Sequence, residues 1–124
     1  MQPNPVVWFE IYVIDLERAR RFYEAVLQVK LEKLDTPAPD IEMLSFPMSP
    51  EGPGAGGALC RMPRYVPGFG TIVYFACEDC AVEESRVVAA GGRVEKTKMS
   101  IGQYGAISLA VDTEGNMIGL HSMK

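Results

Sequence analysis

Glu10 stands between Trp8 and Tyr12 in an otherwise apolar run, Val6-Val7-Trp8-Phe9-Glu10-Ile11-Tyr12-Val13. Unpaired carboxylates are seldom buried, so a carboxylate in such a run either faces solvent on the wet side of a sheet or belongs to a site. Two further groups extend the chemistry: Tyr74, in a second apolar run, and the single histidine, His121, near the end of the chain. Proton abstraction beside a carbonyl needs a base, an acid and a group to hold the oxyanion, and Glu10, His121 and Tyr74 could fill those roles in that order. With Trp8, Tyr12, Ile72 and Met117 as apolar walls, the same residues could instead hold a small, partly aromatic molecule without reacting with it. Each has a plainer reading: His121 as an exposed tail residue, Trp8 and Tyr74 as core or interface aromatics.

Other motifs carry less. Cys77-Glu78-Asp79-Cys80 is a CxxC at the start of an expected helix, where a thiol pKa would be lowered. A zinc knuckle would need a second ligand pair, and only Cys60 and His121 remain, at unsuitable spacing. The segment Gly52-Pro53-Gly54-Ala55-Gly56-Gly57 lacks the lysine and following helix of a phosphate loop and reads as a rim beside a site.

The whole composition narrows the partners. The chain has 124 residues, 48% of them apolar, and a formal charge of −4, which leaves no basic patch for a phosphate backbone. Its densest basic stretch, Arg18, Arg20 and Arg21, is expected on the solvated side of a helix. No run approaches the roughly 18 apolar residues of a membrane span. Met1-Gln2-Pro3-Asn4-Pro5 has neither the charge nor the apolar segment of a signal peptide. An odd cysteine count of three excludes a complete disulfide framework. A small-molecule ligand, no nucleic acid, no membrane and a cytoplasmic location are the expectations.

The elements that would position these residues come in two similar sets, from Val6 to about Arg61 and from Thr71 to Ser122. Each begins with an alternating strand, at 6–13 and at 71–77. Each then meets an acidic helix cap, Asp15 or Asp79. The first helix places Leu16, Ala19, Tyr23, Val26 and Leu27 on one stripe, and the second runs to about Ala90, where Gly91-Gly92 stops it. Strands follow at about 30–35, 41–47 and 57–61, then near 93–97, 105–111 and 117–121, with Thr36-Pro37-Ala38-Pro39-Asp40 and Asp112-Thr113-Glu114-Gly115-Asn116 as turns. Residues 63–70 read as a connector. The fold class is therefore α+β: two βαβββ modules in tandem, each a curved mixed sheet with a helix on its convex face, together forming a cup.

Alternation then assigns faces. If Val7, Phe9, Ile11 and Val13 pack on the helices, then Trp8, Glu10 and Tyr12 turn to the opposite face. The matching positions of the second module are Ile72, Tyr74 and Ala76, and the last strand adds Met117, Gly119 and His121. Glu10, Tyr74 and His121 are thus expected in one concavity.

Two segments also resemble a known family. Residues 13–27, VIDLERARRFYEAVL, resemble the first strand-to-helix junction of the vicinal oxygen chelate superfamily, which includes glyoxalase I, bleomycin-resistance proteins and extradiol dioxygenases. Residues 112–121, DTEGNMIGLH, resemble its closing hairpin, whose usual pattern is Asp-Pro-Glu/Asp-Gly-Asn; Gln28 stands where the family usually has glycine. With the Gly91-Gly92 stop, the likeness covers nearly the whole chain and implies one domain, about 6–61 and 71–122 being its modules. It also implies a cup that commonly holds a divalent metal, and a homodimer with sites built between two chains. The matching ligand positions here are Trp8, Gly57, Ile72 and Gly119, and none can donate to a metal. Glu10 and His121, two residues further along their strands, are the side chains left to hold an ion weakly. The expectation is a glyoxalase-like small-molecule binder without the usual ligand set; the alternative is a lyase or isomerase of a small carbonyl metabolite, with Glu10 as general base and a weakly held divalent metal.

Overall fold

The computed structural model describes Val6 and residues 8–36, 39–63 and 65–124. Residues 1–5, 7, 37, 38 and 64 lie outside the described residues, and with them the facing expected of Val7.

The first module contains β1 (Trp8–Tyr12), α1 (Leu16–Leu27), β2 (Glu32–Leu34), β3 (Glu42–Ser45) and β4 (Gly56–Arg61). The second contains β5 (Val73–Ala76), α2 (Cys80–Glu84), β6 (Arg93–Ser100), a 3-10 turn at Gly102–Tyr104, β7 (Ala106–Val111) and β8 (Met117–Ser122). They form two four-stranded mixed sheets of matching order, β1-β4-β3-β2 and β5-β8-β7-β6, the first pair parallel in each. The α+β reading with two tandem βαβββ modules is what the structure shows. β1 and β5 are the edge strands that meet along the seam between the sheets, where the Phe9 and Phe75 rings cross edge-on with centroids 6.1 Å apart.

Both helices start as their caps dictate. Asp15 is extended at φ −116° and its Oδ1 accepts the Arg18 N–H at 3.0 Å; Asp79 does the same for Ala81 at 3.1 Å. α1 buries Ala19, Phe22, Tyr23 and Val26; Phe22, absent from the expected stripe, is fully enclosed. Side chains of this size contribute about 2–3 kcal/mol each when fully enclosed. One core runs through both modules, joining Ile11, Phe22 and Leu59 to Val87, Ala110 and Ile118. α1 ends at Gln28, the one described non-glycine residue with positive φ, 56°, which accounts for the glycine usual at this place.

α2 is shorter than its sequence suggests. The Ser85 hydroxyl donates to the Val82 carbonyl at 2.6 Å, and the next two backbone bonds tighten to the third residue back, Arg86 to Glu83 and Val87 to Glu84. A serine that bonds backward and two β-branched valines, Val87 and Val88, weaken regular helix at that point. The arginines on α1 are also not uniformly solvated. Arg18 crosses to the other module, donating from Nε at 2.7 Å to Glu114, whose side chain is fully buried.

Glu114 is the hub of the contact between modules. Its carboxylate accepts from the N–H groups of Ile14 and Asp15 at 2.9 and 2.8 Å, from Arg18 and from the Thr113 hydroxyl. Burial alone would push this carboxyl up, but Arg18, Asp15, Thr113 and Ile14 override it and hold the pKa at about 2. Asp112 accepts the buried Tyr23 hydroxyl at 2.6 Å, and Asn116 donates to the Tyr12 carbonyl at 2.9 Å. The turn 112–116 therefore fastens the second sheet to the end of β1.

Candidate functional site

A cavity of about 690 Å³ opens along the β1–β5 seam. Trp8, Glu10 and Tyr12 line it from β1, where Phe9 and Ile11 also reach it; Ile72 lines it from just before β5, Val73 and Tyr74 from β5, and Met117 and Ile118 from the start of β8. Six of the seven sequence-derived site residues thus meet in one place.

Glu10 is held from both sides of its own strand. The Trp8 indole N–H donates to Oε2 at 3.2 Å and the Tyr12 hydroxyl donates to Oε1 at 2.8 Å. Positions two apart on a strand share a face, which is why both flanking side chains can reach the same carboxylate. The Glu10 hydrogen bond is the main cause that pushes the Tyr12 phenol up to about 12, with burial second. Tyr12 is therefore a neutral donor throughout the ordinary pH range.

Tyr74 owes its position to a glycine. A Cβ at Gly119, its register partner on β8, would lie 2.2 Å from the Tyr74 ring, so the ring rests flat where a side chain would otherwise stand. Half of Tyr74 stays exposed.

His121 does not join them. It pairs with Ala76 in β8, does not line the cavity, and its Nε2 is 2.7 Å from the Tyr104 carbonyl in the 3-10 turn. Alternation places its side chain on the expected face, but β8 enters the cavity only at its first residues, and four residues of strand carry His121 about 13 Å beyond Met117. The shared hollow of Glu10, Tyr74 and His121 is corrected to Glu10 and Tyr74.

A second correction concerns Gly57. It pairs with Phe9, and a Cβ there would meet the Phe9 ring at 2.3 Å, so it faces the helices and not the cavity. Gly56 is the residue paired with Trp8. Trp8, Gly56, Gly57, Ile72 and Gly119 carry no metal-donor side chain, and among the described residues no three His, Cys, Asp or Glu side chains converge to hold an ion. The residues present do not fit a divalent metal.

Two contributors were not foreseen. Tyr65, in the connector, stacks on Tyr12 with centroids 4.8 Å apart and so supports a wall residue from behind, and Val66, Gly68 and Gly70 after it line the cavity. An aromatic pair, Tyr65 and Phe69, amid proline and glycine was the available signal. Asn116, a cavity residue read only as part of a turn, accepts the Gly68 N–H at 2.8 Å and so ties connector to hairpin. Ala55 brings the glycine-rich segment to the wall. The CxxC pair lies apart from the cavity: Cys80 is buried, and burial pushes the Cys77 thiol up to about 12, opposite to an activated thiol.

The description Glyoxalase/Bleomycin resistance protein/Dioxygenase superfamily matches residues 6–120. The chain belongs to that superfamily. No curated protein matches it in sequence at a significant level. Among solved structures of superfamily-like fold, glyoxalase I from Zea mays aligns with TM-score 0.72 and 22% identity over 99% of this chain and 47% of its own, so the chain spans about half the maize enzyme. Glyoxalase I of Leishmania major aligns with TM-score 0.69 and 18% identity over 97% of this chain and 87% of its own. TnmS3, an antibiotic binding protein from Streptomyces sp. CB03234, aligns with TM-score 0.69 and 26% identity over 98% of both chains. The superfamily fold is therefore present here with an aromatic wall and, among the described residues lining the cavity, a single carboxylate.

Proposed function

We propose that this superfamily member binds a small, partly aromatic molecule in the β1–β5 cavity and does not transform it. The observation that carries this reading is the wall itself: Trp8, Tyr12 and Tyr74 around one carboxylate whose two oxygens are already oriented by neutral donors from the same strand. Such a surface offers apolar contact with a few fixed polar anchors, as ligand sites do. The likeness to an antibiotic binding protein along the full length of both chains supports it.

Glyoxalase-like lyase or isomerase chemistry fits less well. Glu10 acting as a base would need an electrophilic group beside it to take the developing oxyanion, and His121, the residue expected to help, is engaged at Tyr104. Homodimer formation is part of the reading. Trp8, Val66 and Tyr74 leave an exposed apolar rim around the cavity that a second copy would cover.

The test is ligand-detected NMR with a panel of bicyclic aromatic compounds, on the wild type and on Tyr74→Ala. Binding in the wild type that weakens at least about fivefold in the variant, the loss of one aromatic wall, supports the cavity. Equal binding by both proteins contradicts it. Sedimentation at micromolar concentration that gives only a 13.6 kDa monomer contradicts the dimer.

A further inference from the structure

Building on the binding reading above, we propose that the cavity selects ligands carrying a protonated amine on an aromatic body, with Glu10 as the residue that recognises the charge. Glu10 is the only Asp, Glu, Lys or Arg among the described residues lining the cavity, and no ion pair joins it to a cation among the described residues. An ionised carboxylate has about four lone-pair sites. The Trp8 indole uses one on Oε2 and the Tyr12 hydroxyl one on Oε1, which leaves one on each oxygen for a ligand donor. Both intrachain partners are neutral, so they orient the carboxylate without cancelling its charge.

The surroundings point the same way. Trp8 and Tyr12 present their N–H and O–H edges to Glu10, so their rings serve as apolar wall for the aromatic body of the ligand while the carboxylate takes the charge. The formal charge of −4 on the chain favours the approach of a cation over that of an anion. A carboxylate ligand would face the Glu10 charge with no basic side chain in the described wall to offset it.

The experiment uses three probes of one shape: 1-naphthylmethylamine, 1-naphthalenemethanol and 1-naphthoate. Each is titrated into the full chain at neutral pH by calorimetry, on the wild type and on Glu10→Gln. Hydrogen bonds to charged groups favour the amine over the alcohol by at least about tenfold in the wild type, and the naphthoate binds weakest. In Glu10→Gln the ratio of amine to alcohol falls to within about twofold, because a neutral amide accepts from both alike. An alcohol that binds as well as the amine, or a naphthoate that binds best, overturns the charge preference and leaves the aromatic cavity standing. Failure of all three to bind overturns both. The wild-type ranking decides the matter by itself should Glu10→Gln fold poorly.

Discussion

Tyr12 donates a 2.8 Å hydrogen bond to Glu10 two residues before it on the same strand, and Tyr65 from the connector stacks on the Tyr12 ring. One side chain thereby joins the polar anchor of the cavity to the segment between modules. Because the fold raises the Tyr12 pKa from 10.0 to about 12, the protonated phenol is favoured in the folded state. Its stabilising contribution is complete below pH 10 and is lost as pH rises to about 12. Tyr12→Phe should flatten the alkaline loss of stability over that window, read by thermal melts from pH 9 upward. An unchanged alkaline limb would mean that the hydrogen bond contributes nothing.

Glu114 works in the opposite direction. Its pKa is held at about 2, below the ordinary 4.5, so its contribution is complete above pH 4.5 and drains away as pH falls toward 2. Glu114→Gln leaves Arg18 and the Ile14 and Asp15 N–H groups with a weaker acceptor. We expect a loss of about 2 kcal/mol at neutral pH, by urea unfolding, and a shallower acid limb. A variant as stable as the wild type at pH 7 would remove Glu114 from its central place in the contact between modules.

Gly119 and Gly57 separate binding from stability. Gly119→Ala pushes the half-exposed Tyr74 ring out into solvent, so it should weaken ligand binding and lower stability by less than about 1 kcal/mol. Gly57→Ala collides with Phe9, which is packed in the core, and should lower stability by about 2 kcal/mol. Melting curves paired with probe titrations would show whether the two effects divide this way; equal effects of both substitutions on both readouts would not fit.

Gln28→Gly removes the left-handed strain at the end of α1, partly offset by loss of the 2.7 Å bond from Gln28 Nε2 to the Ala25 carbonyl and by a more flexible unfolded chain. A gain of about 0.5 kcal/mol in urea unfolding is expected. A loss would show that the side-chain bond outweighs the strain.

Where strand alternation governs a residue, its place could be read before the structure. Trp8, Glu10, Tyr12 and Tyr74 line the cavity as a period of two expects once one face packs on helices, with Phe9, Ile11 and Val73 of the core-packed face reaching it as well. His121 obeyed the same rule and still missed the cavity, since alternation fixes the face and says nothing about how far along a strand the opening lies. Tyr65 and Asn116 were hidden for another reason: both sit in irregular backbone, whose course depends on tertiary contacts such as Gly68 to Asn116. Arg18 shows the limit of reading charge as solvation, because its partner Glu114 is 96 positions away in sequence. The early end of α2 depends on a local competition by Ser85 that hydrophobic periodicity does not register.

The most direct test of the central claim is an amide NMR titration of the full chain with 1-naphthylmethylamine. As the single tryptophan, Trp8 gives one indole N–H resonance, and that proton is the one bonded to Glu10. The account predicts that this resonance shifts most, together with amides of residues 8–12, of Val66, Gly68 and residues 70–74, and of residues 116–118. Shifts confined instead to the groove around Lys33, Thr36 and Ile41, or to residues 98–106, with the Trp8 indole unmoved, would contradict it.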